Sequence, residues 1–145
     1  MRLVTEAEYT EAKEAVEKAA AQIKLNSKAA LREYRRMKWY GITVNRFEKQ
    51  RTELKPKYEM ELHVLRIGDV AICTNSFELF TDYGIRMKAR SKAVQTFVVQ
   101  LAGPGTYLPT EKAIRGGHYS AVVHSSLVGP EGGEVLVNRT LNIIN

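Results

Sequence analysis

The hydrophobic rhythm of the chain changes near residue 58, and this change limits the folds that the sequence can adopt. Before it, apolar residues recur three or four positions apart, as on one face of an amphipathic helix. From Tyr58 to Val64 they alternate with polar residues, which is typical of a strand with one exposed face. We therefore expect an N-terminal helical pair, followed by a region that contains the strands.

Residues 1–57 predict the helical pair and a basic connection. Thr5 and Glu8 have the spacing of a capping box at the start of the first helix. The second helix is expected to begin after Ser27 and to end at Gly41. Residues 42–56 show no clean period, so they predict an extended polar connection.

Residues 58–145 predict strands mixed with helices. A Gly-Asp turn predicts a β-hairpin over residues 58–74, and a helix should start at Asn75 or Ser76. The segment "VQTFVVQLA" predicts a third strand, "YSAVVHSS" a short fourth strand, and "GPEGGEVLVNRTLNII" a final helix with Pro130 in its first turn. This order predicts an α+β or α/β fold, with helices packed on a mixed sheet and both regions in a single structural unit.

The charge of the chain, +6 in total, is concentrated between Lys24 and Lys57, where eleven Lys or Arg residues meet three Glu residues. A solvated helix face followed by a loop is the more ordinary interpretation of this stretch. Nucleic-acid binding is disfavoured because no named nucleic-acid motif accompanies the charge. The sequence has no stretch of about 18 apolar residues that could cross a membrane, and no secretory signal.

Few residues suggest chemistry by spacing alone. The single cysteine, Cys73, excludes an internal disulfide and a cysteine-cluster metal site, and it leaves the compartment open. The histidines, His63, His118 and His124, show no zinc-ligand spacing. Glu78 directly follows a buried strand at the expected start of a helix, where α/β proteins often bind ligands, although a helix-capping acid is the more common interpretation.

Tyr107 and Tyr119 lie twelve positions apart in "TYLPTEKAIRGGHYSAVV". Between them, Thr110 can cap a short helix that Gly116 and Gly117 would end. Two half-buried aromatic side chains are the ordinary interpretation. The alternative is that two phenols are brought to one point in space, as in a binding site.

Two blocks of the chain resemble the C-terminal part of the neutral/alkaline non-lysosomal ceramidase family. They are "LRIGDVAICTNSFELFTDYGIRMKARS" and "TYLPTEKAIRGGHYSAVVHSSLVGPEGGEVLVNRTL", and the resemblance covers residues 58–145. It implies a zinc amidase that hydrolyses N-acyl amide bonds, with Glu78 and Tyr107 as metal ligands. Tyr119 would then assist the substrate carbonyl.

The resemblance also implies that the catalytic set is incomplete. The histidine ligands and a serine of the family belong to an N-terminal half that this sequence does not contain. We therefore expect this chain to form part of a larger αββα-type domain and to be inactive alone. The family is generally exported, and an export signal would lie upstream.

The sequence departs from the family pattern at three places. "NSFE" stands before and at Glu78 where the family has "lPgE", "GPGTY" leads to Tyr107, and Ser120 replaces an acidic residue. These departures weigh against ceramide as the substrate more than they weigh against the metal site. The alternative function is a non-catalytic binding protein that keeps the family fold and uses the basic stretch for a protein or an anionic surface.

Overall fold

The structure of the chain, a computed structural model, describes residues 1–25, 28–53 and 56–145. Strands and shorter helices follow an N-terminal pair of long helices. In chain order the elements are α1 (Glu6–Leu25), α2 (Ala30–Thr52), β1 (Val64–Ile67), β2 (Val70–Thr74), β3 (Glu78–Leu79), α3 (Thr81–Arg90), β4 (Gln95–Val99), β5 (Tyr107–Leu108), α4 (Glu111–Gly116) and α5 (Pro130–Ile144). The helices and the small mixed sheet confirm the α+β fold class.

The contacts divide the chain into two compact units, residues 2–56 and residues 57–145 together with Met1. In the first unit α1 packs against α2, and the rings of Tyr9 and Phe47 stack with their centroids 4.3 Å apart. The capping box is confirmed: the Thr5 N–H donates to Glu8 Oε2 at 2.9 Å, and the Glu8 N–H donates to Thr5 Oγ1 at 3.2 Å. That both units form a single structural unit stays a prediction.

The predicted end of the second helix at Gly41 is wrong, because α2 continues through it to Thr52. A glycine in a helix interior costs about 1 kcal/mol, and beyond it α2 buries Thr43 and Phe47, which offsets that cost. Most of the connection predicted over residues 42–56 is therefore helical. The predicted start after Ser27 and residues 54–55 lie outside the described residues.

The second unit is built on a three-stranded sheet in the order β1-β2-β4. β1 and β2 form the predicted antiparallel hairpin around Gly68, which has a φ of +57°, and β4 adds to β2 in parallel. One face of the sheet packs on helices, since α3 lies against β4 and α5 against β1. The predicted third strand and final helix are thereby confirmed, the latter with Pro130 at its start.

Residues 58–63 are not a strand, although the alternation predicted one. β2 ends at Thr74, so pairing ends with His63, whose carbonyl accepts the Thr74 N–H at 2.9 Å and whose N–H donates to Thr74 Oγ1 at 3.3 Å. The alternation itself describes burial correctly. Tyr58, Met60 and Leu62 pack against the core, while the residues between them are exposed.

Two further predictions are wrong. The helix expected from Asn75 begins only at Thr81, because the Asn75 side chain accepts the Phe77 N–H at 3.1 Å and turns the chain into β3. The strand expected in "YSAVVHSS" is a series of turns. Within it, the Ala121 N–H donates to the His118 carbonyl and the Ser125 N–H to the Val122 carbonyl, as in successive turns.

Candidate functional site

Glu78 and Tyr107 are placed opposite each other by a short parallel strand pair. β3 and β5 pair with Glu78 in register with Tyr107, and the Glu78 N–H donates to the Thr106 carbonyl at 3.1 Å. Residues in register on parallel strands point to the same side of the sheet. Glu78 is therefore not a helix-capping acid, as its position in the sequence had suggested, but a strand residue that faces a phenol.

The loop before β5 approaches β3 so closely that only glycine fits. A Cβ built at Gly105 would overlap the carbonyl group of Ser76. Ser76 is buried, and the neighbouring Asn75 side chain donates to the Val99 carbonyl at 3.3 Å. Backbone and buried side chains thus fix the approach of the strand that carries Tyr107 to the strand that carries Glu78.

Tyr119 reaches the same place because a short helix reverses the chain. Thr110 caps α4 by accepting the Ala113 N–H at 3.2 Å, and Gly117 ends the helix in the left-handed conformation, with a φ of +70°. The hydroxyl oxygens of Tyr107 and Tyr119 then lie 2.5 Å apart, and the ring centroids lie 5.5 Å apart in an edge-to-face arrangement. The two phenols are brought to one point, as the alternative interpretation required.

The Tyr107 phenol holds its proton strongly. Its pKa is raised from the ordinary value, first by the hydrogen bond with Tyr119 and then by the hydrogen bond with Glu78. A nearby carboxylate and a second phenol both favour the neutral form of Tyr107. Deprotonation at neutral pH would therefore need a cation close to the phenol oxygen.

Glu78 and Tyr107 bring two oxygen donors to one place, which a metal ion could use. A carboxylate and a phenolate are oxygen ligands, and zinc sites in proteins use four ligands, or three and an open position. Glu78 and Tyr107 supply two. Among residues 1–25, 28–53 and 56–145, the structure holds no group of three or more His, Cys, Asp or Glu side chains that could bind a metal ion.

Tyr83 supports the site and was missed by the sequence analysis. Its ring is 1% exposed between α3 and α5, and its hydroxyl donates to the Pro109 carbonyl at 3.0 Å, two residues beyond Tyr107. A second hydrogen bond holds the residue before Tyr107, since the Thr106 hydroxyl accepts the Leu127 N–H at 3.1 Å. The sequence shows only that Tyr83 lies on the apolar side of a helix, and this spacing does not indicate that its hydroxyl binds the Pro109 carbonyl.

No family model, no curated protein and no solved structure matches the chain. Among the described residues, no helix has both the length and the apolar character that spanning a membrane requires.

Proposed function

We propose that this chain is the C-terminal portion of a ceramidase-like zinc-dependent amidohydrolase, which cleaves an N-acyl amide of a lipid or related substrate. The observation that supports this most is the cluster of Glu78, Tyr107 and Tyr119. A carboxylate and a phenol face each other on paired strands, and the second phenol contacts the first. The resemblance assigns these same three residues to the metal and the substrate carbonyl.

Each side chain has a role that its surroundings favour. Glu78 and Tyr107 would hold the metal, because both oxygens point to one side of the strand pair. Zinc bound there would act as a Lewis acid toward the amide. Tyr119 is 64% exposed, so its hydroxyl can leave Tyr107 and donate a hydrogen bond to the substrate carbonyl oxygen.

The chain should be inactive alone. Two oxygen ligands make a weak zinc site, and by the resemblance the two histidines and the serine come from the remaining N-terminal half of the catalytic domain. That half is therefore the expected partner. Neither nucleic acid nor a membrane has a role in this proposal.

A zinc titration of the untagged chain tests the proposal. Free imidazole supplies the missing nitrogen ligands, and competition with a chromophoric chelator reports the affinity. We expect imidazole to strengthen zinc binding, and Glu78→Gln or Tyr107→Phe to weaken it by at least about tenfold. The matched control is Glu59→Gln, an exposed carboxylate in the same unit that should change nothing. Equal affinities for the two glutamine variants would contradict the proposal.

The second candidate function, a non-catalytic binding protein, is favoured by one observation on α2. The Arg36 guanidinium lies 5.7 Å from the centre of the Tyr40 ring, and the Lys38 ammonium 5.5 Å from that of Tyr34. Cations held over aromatic rings form an ordered basic surface that could bind an anionic partner. Retention on a polyanion column that falls with salt, and that Arg36→Glu weakens, would support this function. Retention unaffected by that substitution would exclude it.

A further inference from the structure

The three-stranded sheet has one face that nothing in its own unit covers. On the inner face, Val64, Cys73 and Val98 lie side by side across the strands and belong to the core beneath the helices. The pairing register places the alternate residues on the opposite face, which we call the outer face. It consists of Leu65, Ile67, Val70, Ile72, Thr74, Gln95, Phe97 and Val99.

The outer face is apolar where a solvent-facing sheet would be polar. Leu65, Ile72 and Phe97 form one row across all three strands, and Ile67 and Val70 extend it at one end. Phe97 is 50% exposed and Ile67 61% exposed. All-parallel sheets are ordinarily buried on both faces and antiparallel sheets usually expose a polar face, whereas this mixed sheet leaves a contiguous apolar surface open.

Charge decides which kind of partner fits. Among the described residues of β1, β2 and β4, the outer face carries no charged side chain. The outer face therefore offers no charge that would attract an acidic or a basic partner. It also lacks the Lys, Arg and Trp side chains with which proteins bind membrane surfaces. Two copies of the chain, each with a net charge of +6, can bury this face without desolvating a charge.

The area is sufficient for a specific contact. The half-exposed apolar side chains offer roughly 400–500 Å² per copy, at roughly 150–200 Å² for each whole side chain. Two copies with the Thr74 and Gln95 rim then reach a total of about 1,000 Å², which is the lower bound for a specific interface. Two twisted sheets also pack face to face in a regular way, with the strands about 30° apart.

We propose that the outer face binds the outer face of a second copy, giving a two-fold symmetric dimer with the two sheets packed together. In such a contact the same surface serves both partners. Ile72, on the central strand of the sheet, would lie nearest the two-fold axis, and Phe97 would pack beside it. This inference rests on the outer face and not on the candidate metal site, and it concerns this chain in the absence of the proposed N-terminal half.

Light scattering during gel filtration, over a range of concentrations, tests the dimer. We expect a mass of twice 16.4 kDa that falls toward 16.4 kDa on dilution. Phe97→Lys should raise the dimer dissociation constant by at least about tenfold, because it buries an unpaired charge. Ile143→Lys, an equally exposed apolar residue on α5, is the control and should leave the mass unchanged. Circular dichroism checks that both variants fold.

A cross-linking experiment makes the result independent of the lysine substitution. A short bismaleimide should join two copies of the Ile72→Cys variant and leave the wild-type chain, whose Cys73 is buried, as a monomer on a denaturing gel. A mass of 16.4 kDa at every concentration would overturn the proposal, whether or not the chain binds lipid vesicles or an apolar dye. A dimer that Phe97→Lys and Ile143→Lys weaken equally would also overturn it.

Discussion

The hydroxyl of Tyr83 on α3 donates to the carbonyl of Pro109, which follows β5, at 3.0 Å. This bond is buried, and it connects the helical side of the core to the strand that carries Tyr107. The position of the candidate site therefore depends on a residue that belongs to the core.

Removing this hydroxyl should destabilise the protein. In Tyr83→Phe the Pro109 carbonyl loses its buried donor, which costs about 1–3 kcal/mol in the free energy of unfolding. Urea denaturation measures the change. Tyr58→Phe is the control, because the Tyr58 hydroxyl makes a longer bond of 3.4 Å to the Pro104 carbonyl in an exposed position. Equal losses in the two variants would contradict a structural role for the Tyr83 bond.

The stability of the fold should fall at alkaline pH. Burial raises the pKa of Tyr83 from 10.0 to about 12, with a smaller contribution from Glu134. Below pH 10 the phenol is neutral in both the folded and the unfolded chain, so its contribution is fully present. As the pH rises from 10 to about 12, only the unfolded chain ionises, and stability is lost.

Urea midpoints measured across this pH range check the prediction. The wild-type midpoint should fall steeply between pH 10 and about 12, and the slope should be smaller in Tyr83→Phe. A variant with the wild-type slope would show that Tyr83 does not cause the alkaline loss.

Two glycines in the helices beside Tyr83 should respond to alanine in opposite directions. A Cβ at Gly133 in α5 would overlap the Tyr83 ring, whereas a Cβ at Gly84 in α3 would meet nothing within 4 Å. We expect Gly133→Ala to destabilise by about 1–3 kcal/mol through overpacking. Gly84→Ala should stabilise by about 0.5–1 kcal/mol, because alanine is the better helix former. Thermal denaturation of the pair measures both, and a stabilised Gly133→Ala would contradict the packing of α5 on α3.

The elements that the sequence predicted correctly are those with local signals. The Gly68 turn, the Thr110 cap and the proline at the start of α5 each act within a few residues of the element that they define. The meeting of Tyr107 and Tyr119 also depends on local signals, one capped helical turn and a glycine, although the sequence alone left it as the less ordinary of two interpretations.

The elements that it missed depend on partners far along the chain. Glu78 is a strand residue only because β5 pairs with β3, and nothing near Glu78 in the sequence indicates that partner. Gly41 fails to end α2 because the helix packs on α1, which favours its continuation more than one glycine opposes it. Helix propensity and hydrophobic period describe one segment in isolation. The strand at Glu78 and the continuation of α2 through Gly41 depend instead on contacts with distant segments.

The measurement that tests the central claim most directly is the near-ultraviolet difference spectrum of the chain at neutral pH, as zinc is added with imidazole. Because hydrogen bonds with Tyr119 and Glu78 raise the pKa of Tyr107, its phenol should ionise there only when a metal ion displaces the proton. We predict a tyrosinate band that is lost in Tyr107→Phe, weakened in Glu78→Gln and retained in Tyr119→Phe. A band of equal size in Tyr107→Phe, or no band at saturating zinc, would contradict Tyr107 as a metal ligand.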